Sequence, residues 1–247
     1  MYMTQPGTAS PEEIARFTAM ADAWWDPTGK FKPLHKFNPV RIDFMRRHFA
    51  EAFGRDPSLD RPFEGLTLLD VGSGGGLLSE PMAALGFTVT GIDAGEKNVK
   101  IASLHAEKTG ANVTYRVASP EQLDPAEMFD VVLCMEVVEH VTDVNLFLHA
   151  AAAHLKPGGV FVGATMNRTP KAWLLAVVGA EYVLRWLPRG THDWHKFVRP
   201  SEFSRILCSA GIEVARFVGV AYNPISDEWR ETDSLDVNYL VVGGKPA

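Results

Sequence analysis

Cysteine is almost absent from this chain. Cys134 and Cys208 are the only two in 247 residues. Neither stands in a CxxC or Cys/His zinc spacing, so no disulfide framework and no cysteine zinc site are expected. Both thiols are expected to be free and buried. Basic charge is scarce too. Lys and Arg number 24 against 30 Asp and Glu, a net charge of -6. That balance leaves no nucleic-acid footprint, and no nucleic-acid partner is expected. No uncharged apolar run reaches the roughly 20 residues that span a bilayer. Met1–Ser10 lacks a basic segment followed by an apolar one, so no secretory signal is read and the reducing cytosol is the expected compartment.

What is present is a large apolar fraction, 46% of the residues, enough for one sizeable core. Ser10, Pro11 and Glu13 read as a helix start with a capping box, Ser at N-cap, Pro at N1 and Glu at N3. Ile14, Phe17, Ala21 and Trp24 follow at helical spacing. A second helix is expected over Pro39–Phe53, and Asp56–Glu64 reads as a linker. Residues 1–60 would form a helical cap on a domain running from 61 to 247.

From Leu66 onward, short apolar runs alternate with helical segments. Leu66–Val71, Phe87–Ile92, Val113–Val117, Phe129–Met135 and Val160–Ala164 read as strands. Leu77–Leu85, Glu96–Lys108, Asp143–Leu155 and Ser201–Ala210 read as helices. Near-continuous apolar strands alternating with helices imply a parallel sheet in an α/β, Rossmann-like fold. Lys156-Pro157-Gly158-Gly159 is expected as a turn. Ile212–Val218 and Val237–Val242 would complete a seven-stranded sheet as an antiparallel pair.

The sharpest local signal is Asp70-Val71-Gly72-Ser73-Gly74-Gly75-Gly76-Leu77, between a strand and a helix. Gly72 and Gly74 permit a sharp turn and close approach to a ligand, with helix-start N–H groups expected to face it. Asp93 ends the next strand, about 20 residues on, where a carboxylate accepts ribose hydroxyls. Three readings stand. One is a tight turn without ligand. A second is a dinucleotide site, disfavoured because Leu77 occupies a position that needs a small residue. The third is S-adenosylmethionine (SAM), whose charged amino group an acid such as Asp70 could balance. Ser119 follows the third strand, where it could reach an adenine. Met135 ends the fourth and is either plain core or an apolar contact for that base.

Glu136, Glu139 and His140 follow directly. On one helical turn they would share a face. They could hold a divalent cation such as Mg²⁺, or His140 could act as general base, or the segment is simply a solvated helix start. Further on, Trp173–Leu187 is apolar and aromatic, broken by Glu181 and Arg185 and flanked by Lys171 and Arg189. It suits a helix in a membrane interface or one buried over a site.

With these residues laid out, the chain resembles the bacterial ubiquinone biosynthesis O-methyltransferases, class I SAM-dependent enzymes. Phe17 through Trp24-Trp25-Asp26, Phe31-Lys32-Pro33-Leu34-His35, Asn38-Pro39-Val40-Arg41, the glycine loop, Cys134 through His140, Gly190-Thr191-His192-Asp193 and Tyr222-Asn223-Pro224-Ile225 carry the likeness. The resemblance implies methyl transfer from SAM to a ring hydroxyl of polyprenylated catechol-type intermediates, 2-polyprenyl-6-hydroxyphenol and 3-demethylubiquinol. It implies SAM contacts at Arg41, Gly72, Asp93 and Met135, with Mg²⁺ at Glu136, Glu139 and His140. It also implies peripheral attachment to anionic lipid on the inner face of the cytoplasmic membrane through an insertion near residues 166–190, beside other enzymes of the pathway. Ser73 departs from the pattern, where many relatives carry Cys. Two rivals stand beside this reading: a methyltransferase for another small phenol, and a SAM- or nucleotide-binding module without catalysis.

Overall fold

The computed structural model describes residues 7–175, 193–224 and 226–247. Eight strands form one sheet in the order β3-β2-β1-β4-β5-β8-β6-β7. They are β1 (Thr67–Val71), β2 (Thr88–Asp93), β3 (Val113–Val117), β4 (Phe129–Met135), β5 (Leu155–Met166), β6 (Glu213–Asn223), β7 (Glu228–Thr232) and β8 (Asn238–Gly244). The first five pair in parallel. The last three add antiparallel partners.

The helices are α1 (Pro11–Met20), α2 (Lys32–Phe53), α3 (Ser79–Ala84), α4 (Glu96–Thr109), α5 (Val144–Ala153), α6 (Pro170–Ala172) and α7 (Pro200–Ser209). The central strands β1, β4, β8 and most of β5 are buried on both faces, which is why their sequences read as near-unbroken apolar runs. In β4, Val131, Leu133 and Met135 join the core under α2 and α3. Val132 and Cys134 join the opposite core with Phe147 of α5 and Phe203 of α7.

Four expectations are corrected. The sheet has eight strands, not seven, because Glu228–Thr232 pairs with β6 as an edge strand. Its Glu-Trp-Arg-Glu-Thr sequence carries the charge that protects sheet edges, and that charge hides it from a search for apolar runs. The second helix starts at Lys32, with Pro33 in its first turn and Pro39 inside it. Burial of Phe37, Asn38 and Arg41 on either side of Pro39 offsets the hydrogen bond a proline cannot donate. Lys156-Pro157-Gly158-Gly159 belongs to β5, next to a register irregularity opposite Phe129 and Val131. Cys134 is buried as expected, but Cys208 is exposed, because α7 turns Phe203 and Leu207 inward instead.

Strand order reverses between β1 and β4, the place where open α/β sheets bind ligands beyond the strands' carboxyl ends. Both the glycine loop after β1 and Glu136 after β4 open there.

Candidate active site

The glycine loop is built from backbone conformation. Gly72 and Gly74 adopt φ of 75° and 54°, values that favour glycine. A Cβ on Gly72 would stand 2.5 Å from Val137 Cγ2, and one on Gly74 would stand 2.6 Å from the Trp24 ring. Three of the loop's N–H groups bond to the neighbouring strand. Gly72 and Ser73 donate to the Ile92 carbonyl at 2.8 and 2.9 Å, and Gly74 donates to Asp93 Oδ2 at 3.0 Å. Helix α3 begins only at Ser79. The loop is therefore tied to the end of β2 and is poorly furnished to cradle a pyrophosphate. Asp93 Oδ1 also accepts from the Gly95 N–H at 2.7 Å and from Asn98 at 3.0 Å. Burial pushes the Asp93 carboxyl above its ordinary value, against these donors.

Two opposite charges lie under the loop. Asp70 is 3% exposed and accepts from the Ser79 hydroxyl at 2.6 Å. Burial raises its pKa to about 6, opposed by Ser79 and by the Arg41 charge. Arg41 is 2% exposed, donates to Asn38 Oδ1 and lies 4.7 Å over the Phe37 ring. Desolvation lowers it to about 10, while Glu136 and Asp70 hold it up, so it stays cationic. Asn38 in turn donates to the Leu77 carbonyl at 2.9 Å, which locks α2 to the glycine loop.

The amino-terminal residues roof this crevice. Trp24 stacks on Phe31 at 3.7 Å, lies against Gly74 and Gly75 and donates its indole N–H to Asn98 at 3.0 Å. Trp25 donates to the Gly75 carbonyl at 2.9 Å and stacks on His105. Before α1, Ala9 forms an antiparallel bridge to Val141, and Thr142 donates twice to the Thr8 carbonyl. Ser10 caps α1 by accepting from the Glu13 N–H. The Glu13 carboxylate, expected to fold back on Ser10, instead reaches Arg16, His140 and Lys196.

On the β4 side, Glu136 takes φ 55°, an uncommon conformation for a residue with a Cβ and one found at functional sites. Only Val138–His140 make a short 3₁₀ turn, so the three predicted side chains do not share one helical face. Glu139 is buried and accepts from Thr165 Oγ1 at 2.8 Å. Burial, and then the neighbouring Glu136 charge, holds its carboxyl well above the ordinary range. His140 turns Nδ1 to Glu13 Oε2 at 3.1 Å, with Phe17 edge-on at 5.0 Å. Among the described residues, no group of three His, Cys, Asp or Glu side chains is placed to hold a metal ion. The Mg²⁺ expectation therefore finds no donor set to fit it.

One cavity of about 240 Å³ brings these parts together. Arg41, Gly72, Gly74, Asp93, Ser119, Met135, Glu136, Glu139 and His140, all singled out from sequence, line it. Ser73 Oγ and Ser119 Oγ lie buried at its wall with no hydrogen-bond partner among the described residues, polar atoms suited to a nucleoside's groups. Sequence reasoning missed the parts brought by α1: Glu13 and Phe17 also line the cavity. The capping-box spacing disguised Glu13 as a purely local residue.

Residues 41–216 match the family model described as a methyltransferase domain. A ubiquinone biosynthesis O-methyltransferase of Paramagnetospirillum magneticum is 74% identical over 99% of this chain and 98% of its own length. That of Agrobacterium fabrum is 51% identical over 100% of this chain and 99% of its own. Among solved structures, magnesium protoporphyrin IX methyltransferase from Synechocystis, determined with bound SAH, aligns with a TM-score of 0.62 at 18% identity, covering 95% of this chain and 93% of that one. This last likeness speaks for the fold alone. With a methyltransferase model matched over most of its length and relatives this similar end to end, the chain belongs to the ubiquinone biosynthesis O-methyltransferase family.

Proposed function

We propose that the protein moves the methyl group of SAM to a ring hydroxyl of polyprenylated catechol-type intermediates, 2-polyprenyl-6-hydroxyphenol and 3-demethylubiquinol. The observation that carries this reading is one cavity that has a wall suited to a nucleoside on one side and a histidine on the other. SAM, once bound, supplies an electrophilic methyl on a sulfonium. Asp93 suits the ribose hydroxyls, and Met135 and Ser119 suit the adenine. Gly72 and Gly74 let the backbone come close. Arg41 suits the carboxylate of the amino-acid moiety and Asp70 its ammonium, since each charge meets its opposite in a buried setting.

The acceptor phenol must lose its proton as its oxygen attacks the methyl carbon in line with sulfur. His140 takes that proton. The O–CH₃ bond forms, the C–S bond breaks, and the proton leaves through the imidazole to water. No step is routed through a metal. Burial and the neighbouring Glu136 charge favour the neutral form of Glu139, which limits the negative charge the site presents to the developing phenolate oxygen.

The apolar stretch read as a lipid-facing insertion lies mostly outside the described residues. Its start is exposed: Trp173, Leu174 and Leu175 are 47, 53 and 50% accessible beside Lys171. No helix among the described residues is long and apolar enough to cross a membrane. Peripheral attachment to anionic lipid at the inner face of the cytoplasmic membrane accords with this surface and with a substrate carrying an isoprenoid tail. Sedimentation with vesicles containing anionic lipid reads it directly, and equal recovery with neutral vesicles would remove the charge requirement.

The activity test pairs labelled SAM with a short-tailed demethylubiquinol, with and without chelator, and follows label into the ring ether. Transfer in both arms is expected. Transfer abolished by chelator would restore a metal to Glu136, Glu139 and His140. No transfer with intact SAM binding would point to another phenol or to a non-catalytic binder.

A further inference from the structure

One carboxylate does work that the methyl-transfer reading leaves unassigned. Glu13 sits on α1, and 127 positions separate it from His140. Its side chain is 13% exposed, and that of His140 is 15% exposed. Both line the cavity. The Oε2–Nδ1 separation is 3.1 Å. Around the pair stand Arg16, whose guanidinium bonds Glu13 and comes within 3.4 Å of His140 Nδ1, and Lys196, 3.4 Å from Glu13 Oε1. Burial raises the Glu13 carboxyl, but the His140 hydrogen bond and charge, then Arg16 and Lys196, hold it below its ordinary value.

We propose that Glu13 is the positioning residue of a Glu13–His140 dyad, fixing His140 in the tautomer whose Nε2 takes the proton of the acceptor hydroxyl. The proposal rests on the reading of His140 as base. A neutral imidazole carries its proton on one nitrogen, and a carboxylate at Nδ1 places it there, leaving the basic lone pair on Nε2. The carboxylate also stabilises the imidazolium formed when the acceptor proton arrives, the orienting role that recurs in nucleophile–base–acid arrangements. Phe17, one helical turn along α1, sets the ring plane edge-on. Arg16 and Lys196 keep the carboxylate ionised and aimed. The roof of the site is thereby a working part of its base.

The test compares the intact protein with Glu13→Gln, Glu13→Asp and His140→Gln. Steady-state methylation of short-tailed demethylubiquinol, SAM affinity by calorimetry and ¹⁵N NMR of labelled histidine are read on each. Glu13→Gln is expected to lower kcat about 100-fold, to leave SAM affinity unchanged and to move the His140 signals away from the pure Nδ1–H tautomer. Glu13→Asp should recover part of that kcat. If Glu13→Gln keeps wild-type turnover and tautomer while His140→Gln is inactive, the dyad is overturned and the base stands. If His140→Gln keeps wild-type turnover, both fall. Parallel loss of SAM affinity and kcat in Glu13→Gln and Glu13→Asp would make Glu13 a strut of the roof, which also overturns the assignment.

Discussion

The two walls of the cavity are made differently. The centre of the donor wall is local, although Arg41, Ser119 and Met135 join it from other elements. Its loop runs from Asp70 to Gly76, and its anchors, Ile92 and Asp93, lie one strand away. It depends on glycine conformations and backbone hydrogen bonds. The acceptor wall is assembled from afar. His140 meets Glu13, 127 positions away, and Glu139 meets Thr165, 26 positions away. On the proposed reading, a ligand common to many enzymes would meet a compact, repeatable motif. The part proposed to select and activate one acceptor is gathered from separate stretches of chain.

If that division holds, substitutions should separate methyl-donor binding from turnover. The largest effect is expected at His140. His140→Gln should cut kcat by about 10²- to 10⁴-fold with SAM affinity intact by calorimetry, and a matching fall in affinity would erase the distinction between the walls. Trp24→Ala tests the seam between them. Removing a buried indole that stacks on Phe31 and covers the loop should cost about 3–5 kcal/mol of stability, read by denaturant unfolding. A loss well under 1 kcal/mol would mean that the roof is laid over the donor wall without supporting it.

Asp93→Ala should weaken SAM binding by roughly 2–3 kcal/mol, close to two decades in Kd, because the ribose hydroxyls and the loop both lose their acceptor. Unchanged affinity would take the ribose away from this carboxylate. The smallest effect concerns Asp70. With a pKa of about 6 in the free protein, it is about half protonated at pH 6. A neighbouring ammonium favours the carboxylate and lowers that pKa, so SAM binding should release about half a proton at pH 6. Release should fade towards pH 8, where Asp70 is already ionised. Calorimetry in buffers of different ionisation enthalpy measures this, and Asp70→Asn should abolish it.

The same division explains what was legible in the sequence. The donor wall was readable because each of its residues declares its reason locally: glycine where φ is positive, an acid at a strand end, a Met closing an apolar strand. The sheet was readable up to β5 for the same reason. What failed depended on distant partners. Glu136, Glu139 and His140 looked like one helical face, but Glu136 leaves β4 with φ 55° and His140 turns to α1. Pro39 looked like a helix start because the burial that carries α2 through it comes from the sheet. β7 was invisible because an edge strand is charged. Glu13 was misread because its spacing from Ser10 satisfied a cap, while its carboxylate answered to charges far along the chain.

The Glu13 contacts also set a timetable. The chain is made from its amino end, so α1 is among the first parts to leave the ribosome. Its partners come much later: His140 lies 127 positions on and Lys196 lies 183 positions on. Contacts of such long range form late, since loop closure must precede them. A growing chain thus has its glycine loop, β1 and β2 synthesised while the residues that Glu13 faces are still to come. The roof of the cavity is therefore completed only when the chain's first helix meets residues made far later.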